Sequence, residues 1–281
     1  MADALEFYKM TGAGNDFIVA DNRGGAWSVL DLPVLARGLC RRGLSIGADG
    51  LILVENSMRA RFKVRIYNSD GSETAMCGNG ARCAARFAFL KVIAGKQMTM
   101  EAPVGVLEAE ICPDGDVRVR MPVRAEPPER LDLSVQGHLV TTYRAETGVP
   151  HLILFVNDVE RAPLATLGPA LRWHPRLAPD GANVDFLQLK DPGGPHSIRS
   201  YERGVEGETL ACGTGVTAAA WVLRKLFGRP GLQRFATRSG RILEVDVSET
   251  SEADLAVRLK GEARVVYRGF LMDESLKEAL T

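Results

Sequence analysis

Long apolar runs are missing from this 281-residue sequence. None approaches the roughly 18 to 20 residues that cross a bilayer, so no membrane association is expected. A surplus of charge is missing as well. Lys plus Arg number 35 and Asp plus Glu number 35, for a net charge of zero. A chain that neutralises many phosphates needs a basic excess, so nucleic acid is not an expected partner. The opening MADALEFYKM has neither a basic stretch nor an apolar one and does not read as a secretory signal. Cysteine is sparse: Cys40, Cys77, Cys83, Cys112 and Cys212 form an odd, scattered set without a CxxC pair. That excludes a disulfide framework and a structural zinc site. No His or carboxylate joins Cys77 and Cys83 at ligand spacing, so no metal is expected. A cytoplasmic location with reduced thiols follows. Core-forming residues are plentiful, at 46% hydrophobic against 25% charged, enough for one large domain or two of ordinary size.

The chain reads as two related halves. Arg65–Arg86 is RIYNSDGSETAMCGNGARCAAR and Arg199–Ala220 is RSYERGVEGETLACGTGVTAAA. Each has Arg-x-Tyr, a polar Gly-rich turn, Glu-Thr, then Cys-Gly-x-Gly and a run of small apolar residues. Cys77 and Cys212 lie 135 positions apart, and so do Gly105 in PVGVLEAEI and Gly240 in RSGRILEVDV. A repeat of that length implies two domains of similar fold, since solenoid periods are far shorter. The expected halves are 1–130 and 131–281, with a linker near Ala125–Asp132 (AEPPERLD) and room for the last strand of each half to cross over.

Local patterns supply the elements. Phe62–Tyr67 alternates as a half-buried strand should, and Leu51–Glu55 is a short apolar strand-like run. Asp31 before Leu32 and Pro33 marks a helix start. Ala81–Ala94 and Val216–Phe227 are helical in composition, with Gly95 and Gly228 as stops. Both are apolar around much of their circumference, so each is expected at the centre of its domain.

In both halves a cysteine stands just before a Gly-x-Gly that opens one of these buried helices. The first backbone N–H groups of a helix have no intrahelical partner and carry the positive end of its dipole. Such a position lowers a thiol's pKa and suits a bound carboxylate. If the halves face each other, two thiols flank one carbon. One takes a proton, the other returns one on the opposite face, and the amides stabilise the charge between the two transfers.

GAGNDF (Gly12–Phe17), NSDGSETAMCGNGARC (Asn68–Cys83), GANVDF (Gly181–Phe186) and YERGVEGETLACGTG (Tyr201–Gly215) resemble the signatures of the diaminopimelate epimerase family, in order along nearly the whole chain. The resemblance implies an α/β (mixed α+β) fold of two pseudo-symmetric domains, each a mixed sheet wrapped around a central buried helix, with the site between them. It implies no cofactor, a diaminopimelate substrate, and a homodimer acting in lysine and peptidoglycan precursor synthesis. It makes Cys77 and Cys212 the acid/base pair. Gly78, Asn79, Gly213 and Thr214 then bind the carboxylate at the reacting centre, and Asn15, Asn68, Asn183, Glu202 and Arg203 hold the rest. An arginine fork suits a carboxylate, and Glu202 suits an ammonium. His151 and Glu202 stand as candidates for tuning the thiols. Two positions depart from the family pattern: Val149 replaces an Asn before the Pro-His of some members, and Gly50 replaces a Gln.

Cys83 and Cys40 read as packing residues, and Cys112 as a hairpin residue before Pro113. Three other readings stand beside the first. A proline racemase or hydroxyproline epimerase of the same fold would carry a histidine where this chain has Asn79. A dinucleotide site would use the loose GxGxxA at Gly213–Ala218, but no buried strand precedes it. A redox protein would use the same low-pKa thiols.

Overall fold

The computed structural model describes residues 5–123, 126–190, 194–251 and 254–280; Ala125, at the start of the expected linker, lies outside them. The chain divides into two compact units, Met1–Val119 with Gly261–Thr281, and Arg120–Lys260.

In the first unit β1 (Glu6–Gly12) and β2 (Asn15–Asp21) form a hairpin. A crossover through α1 (Leu32–Cys40) makes β2 parallel to β3 (Gly50–Glu55). β3 pairs antiparallel with β4 (Phe62–Asn68). A second crossover through α2 (Gly78–Leu90) makes β4 parallel to β5 (Gln97–Ala102), and β6 (Gly105–Ile111) and β7 (Val117–Met121) follow antiparallel. On the outer side of the first hairpin, β17 (Arg264–Phe270) pairs antiparallel with β1, which ties the C-terminal segment to this unit.

The second unit repeats that order. β9 (His138–Glu146) and β10 (Pro150–Phe155) pair antiparallel, and a crossover through α3 (Leu164–Arg172) makes β10 parallel to β11 (Asn183–Gln188). β11 pairs antiparallel with β12 (His196–Glu202). A crossover through α4 (Gly213–Phe227) makes β12 parallel to β14 (Leu232–Ala236), and β15 (Ile242–Ser251) and β16 (Asp254–Gly261) complete the sheet. β8 (Glu129–Val135) flanks β9 as β17 flanks β1. Among the described residues the second unit adds a short 3-10 turn, Pro175–Leu177, and β13 (Gly207–Thr209), paired to β12 where the first unit has an isolated bridge between Tyr67 and Glu73.

Period-two alternation explains how each sheet holds a helix on both faces. Leu51 and Leu53 point into a core with Leu35 and Leu39 of α1; Val184 and Phe186 do the same with Leu164 and Leu171 of α3. The intervening residues face the central helix. α2 packs on β1, β2, β3, β4, β6 and β17, and α4 on β9, β10, β11 and β15. Gly213 to Leu223 are buried without interruption, so α4 is apolar all round, as a helix enclosed by a sheet must be.

The helix ends follow local chemistry. Asp31 caps α1 by accepting from the Val34 N–H at 3.1 Å. α4 stops at Gly228, whose φ of 62° is left-handed. The expected stop of α2 at Gly95 is corrected: the helix ends at Leu90, where Val92 takes a φ of 56° and the Ile93 N–H turns back to the Ala88 carbonyl at 2.8 Å.

Candidate active site

Cys77 is the N-cap of α2 and Cys212 the N-cap of α4, both with extended backbone. Gly78 and Asn79 are the first two residues of α2, Gly213 and Thr214 the first two of α4, and all four are buried. The two thiols are equivalent in position but not in surroundings.

In the first unit the Gly80 N–H donates to Cys77 Sγ at 3.3 Å. A polar chain runs from there. Arg82 donates to Asn79 Oδ1 at 2.7 Å, Asn79 Nδ2 to Asn15 Oδ1 at 2.5 Å, and Asn15 Nδ2 to Asp49 at 2.9 Å. Asn15 opens β2, so its backbone is fixed by the hairpin while its amide reaches the helix start. Asn68, at the end of β4, is exposed, and its amide donates to Ser72 Oγ at 3.0 Å. It shares no hydrogen bond with the Cys77 group among the described residues.

Arg82 is a site residue that the sequence reading missed. It is fully buried and lies one turn behind Asn79. It also donates to the carbonyls of Gly78 at 3.3 Å and Glu262 at 3.4 Å, and its positive charge acts on Cys77. Burial lowers its pKa, yet the guanidinium is held by three acceptors. The sequence signal is an arginine inside an otherwise small-residue helix run.

In the second unit His151 Nδ1 lies 2.7 Å from Asp185 Oδ2 with both residues fully buried. Ser200 Oγ donates to Asp185 Oδ1 at 2.5 Å, and Asn183 Nδ2 faces His151 Nε2 at 3.3 Å. Asn183 Oδ1 accepts the Arg203 backbone N–H at 2.8 Å, which fixes the turn carrying Arg203. Among the described residues no carboxylate pairs with the half-buried Arg203 guanidinium. Thr209 donates to the Glu202 carboxylate, and the Thr214 hydroxyl is 3.3 Å from Cys212 Sγ.

The electrostatics of Cys212 correct one expectation. Its helix-start position was expected to lower the thiol's pKa, but burial, then the charges of Glu202 and Asp185, push it well above the ordinary value. The Thr214 hydroxyl and Gly215 N–H act the other way and are outweighed. Glu202 is also raised, by burial first, although hydrogen bonds from Thr209 and Cys212 favour its charge. Of the remaining thiols, burial pushes Cys40 and Cys83 up to about 12, as inert packing residues require.

Because the folded Glu202 pKa lies above its unfolded value, protonation favours the fold. That contribution is complete below the unfolded value of about 4.3 and is lost as pH rises through the raised folded value. Glu202→Gln is therefore expected to flatten the fall in thermal stability between mildly acidic and neutral pH. Melting curves across that range check it; an unchanged slope would place the titration elsewhere.

Donor atoms of His151, Asp185 and Cys212 lie within 4.8 Å of one another, a spacing that would also suit a metal. Both Asp185 oxygens are already engaged, by His151 and Ser200, so the trio is hydrogen-bonded as it stands. The departures noted in sequence also have local reasons or settings. At Gly50 a Cβ would fall 2.6 Å from the Tyr67 carbonyl oxygen, so a Gln there would require the paired strand β4 to shift. The Val149 carbonyl accepts the Thr147 N–H at 3.1 Å and closes the turn before His151.

The sequence model of diaminopimelate epimerase matches residues 7–123 and 143–266. The diaminopimelate epimerase of Aquifex aeolicus is 40% identical over 284 residues, covering 97% of this chain and 100% of that protein. That of Chlorobaculum tepidum is 42% identical over 264 residues, covering 92% and 98%. Among solved structures, a Bacillus anthracis phenazine biosynthesis protein of the PhzF family matches 96% of this chain and 99% of its own with a TM-score of 0.71 at 13% identity. A probable proline racemase from Agrobacterium radiobacter matches 96% and 93% with a TM-score of 0.70 at 16% identity; at such identities the likeness concerns the fold alone. With two cysteine-capped helices in repeated units, and relatives at 40% identity or more along the chain, the protein belongs to the diaminopimelate epimerase family.

Proposed function

We propose that the protein interconverts LL- and meso-diaminopimelate without a cofactor, with Cys77 and Cys212 as paired acid and base, in lysine and peptidoglycan precursor synthesis. The observation that carries this reading is the duplicated helix start, each with a cysteine N-cap and a Gly-x-Gly behind it. A carboxylate at the helix-start amides of Gly78, Asn79, Gly213 and Thr214 leaves the attached α-carbon within reach of a thiol. Removal of its proton moves charge onto that carboxylate, where the amides and helix dipoles stabilise it most. The second thiol then delivers a proton on the other face, and the stereocentre is inverted.

The remaining groups suit the far end of the substrate. Arg203, half-buried and without a carboxylate partner among the described residues, offers a two-pronged contact to the distal carboxylate. Asn15, Asn68 and Asn183 supply polar contacts, and Glu202 favours an ammonium. His151 and Glu202 set the protonation of Cys212. The family resemblance supports a homodimer in the cytoplasm, and among the described residues no helix is long and apolar enough to cross a membrane.

The test is turnover of LL-diaminopimelate beside free proline. Inversion of the first and none of the second is expected, because proline lacks a distal carboxylate for Arg203; turnover of proline alone would replace this reading with the racemase. Arg203→Lys keeps the charge but loses the planar fork. It is expected to lower kcat/KM for diaminopimelate by about 1–3 kcal/mol of transition-state binding. An unchanged kcat/KM would remove Arg203 from the substrate site.

A further inference from the structure

The helices that begin at Cys77 and Cys212 rest on chemically different strands. Under α2, a Cβ on Gly80 would meet Ile66 Cδ1 at 2.9 Å and Ile52 Cδ1 at 3.4 Å. Ile52 and Ile66 are directly opposed on β3 and β4. The corresponding opposed pair on β11 and β12 is Asp185 and Ser200. One strand further out, Phe17 pairs with Gly50 in the first unit, and His151 pairs with Asn183 in the second. Where the first unit has Phe17, Ile52 and Ile66, the second has His151, Asp185 and Ser200, all buried.

The repeat folds with an apolar trio, so the polar one is not needed for the architecture. Burying it costs desolvation that only complete hydrogen bonding offsets, and the bonding is complete. Asp185 Oδ2 faces His151 Nδ1 at 2.7 Å and Oδ1 takes the Ser200 hydroxyl at 2.5 Å. The carboxylate is pressed against the start of α4, since a Cβ on Gly215 would overlap Asp185 Oδ1. The titratable groups around Cys212 are therefore His151 on β10, Asp185 on β11 and Glu202 on β12, with hydroxyls from Thr209 on β13 and Thr214 on α4.

We infer that Asp185 is a positioning residue for the epimerisation: it holds His151 beside Cys212 in the Nδ1–H tautomer and stabilises the imidazolium whenever the ring takes a proton, a device with no counterpart at Cys77. The inference rests on the acid/base role of Cys212 given above. An Nδ1–H donor to a carboxylate leaves Nε2 with a lone pair, and the Asn183 amide facing it is a donor that suits that lone pair. Ser200 occupies the other carboxylate oxygen and leaves Oδ2 to the ring.

The direct test is long-range proton–nitrogen NMR of the full-length protein labelled with 15N-histidine, with His151 separated from His138, His174 and His196 by comparison with His151→Gln. The wild-type ring is expected as the neutral Nδ1–H tautomer. Asp185→Asn, whose amide can present a donor instead, should shift the ring toward the Nε2–H form. It should lower kcat about 10- to 100-fold, the scale of losing an orienting partner behind a functional imidazole, with KM nearly unchanged. Ser200→Ala should keep the tautomer and lose less activity. An Nε2–H ring in the wild type overturns the inference, and that spectrum decides even if Asp185→Asn does not fold. A wild-type kcat in Asp185→Asn beside an inactive Cys212→Ala overturns this inference alone. A fully active Cys212→Ala removes the underlying reading of the thiol as well.

Discussion

Cys77→Ala and Cys212→Ala are each expected to abolish net epimerisation in both directions while leaving the fold intact. Every turnover needs a base on one face of the α-carbon and an acid on the other, and the two exchange roles for the reverse reaction. Losing either thiol therefore stops both directions, where a single-base enzyme would lose activity from one substitution only. Removal of one positioned acid or base costs about 10²- to 10⁴-fold, so residual turnover falls below a few per cent. The substitutions are small: Cys212 leaves a space the size of one sulfur, and Cys77 gives up one N–H contact from Gly80. Circular dichroism and melting curves close to wild type separate this result from unfolding. Activity above a few per cent in either variant would remove that cysteine from the acid/base pair.

Gly215→Ala is expected to damage the protein far more than Gly80→Ala, although the two glycines occupy the same place in the repeat. Alanine in a helix interior normally gains about 0.5–1 kcal/mol over glycine. At Gly80 the new methyl meets the flexible tip of Ile66 at 2.9 Å, which a rotamer adjustment relieves. At Gly215 it runs into the Asp185 carboxylate, which is held on both oxygens and cannot swing away without exposing a buried charge. Overpacking costs about 1–3 kcal/mol, and breaking a buried hydrogen-bonded charge adds to it. A net loss of about 2–4 kcal/mol follows for Gly215→Ala, against a change near zero for Gly80→Ala. Urea denaturation of both variants reads the difference. Equal effects would mean that the Asp185 carboxylate yields freely.

Much of this arrangement was legible in the sequence because it repeats. The paired Cys-Gly-x-Gly segments located both central helices, and Asp31, Pro33 and Gly228 marked ends that local capping chemistry dictates. The end of α2 was not legible, since Val92 adopts a left-handed φ that β-branched residues seldom take. Cys77, Asn79, Asn15, His151, Asn183, Glu202 and Cys212 announced themselves as polar residues in motifs. Arg82, Asp185 and Ser200 did not. Each sits where helix or strand periodicity calls for an apolar residue, and only the three-dimensional partners show why charge is tolerated there. The raised Cys212 pKa was hidden for the same reason. The helix dipole can be inferred from a sequence, whereas burial and two neighbouring carboxyls on separate strands cannot.

The paired-cysteine mechanism is tested most directly by running the reaction in D2O from pure LL-diaminopimelate, following optical rotation together with deuterium content. With two bases the substrate proton leaves to one thiol and a solvent-derived deuteron arrives from the other. Early product then carries deuterium at the inverted carbon, while unreacted substrate keeps its protium. The labelled product returns more slowly because of the isotope effect, so the rotation overshoots its equilibrium value and then relaxes back. A single base serving both faces would instead exchange deuterium into the recovered substrate faster than product forms, without an overshoot, and that outcome would contradict the assignment of Cys77 and Cys212 as acid and base.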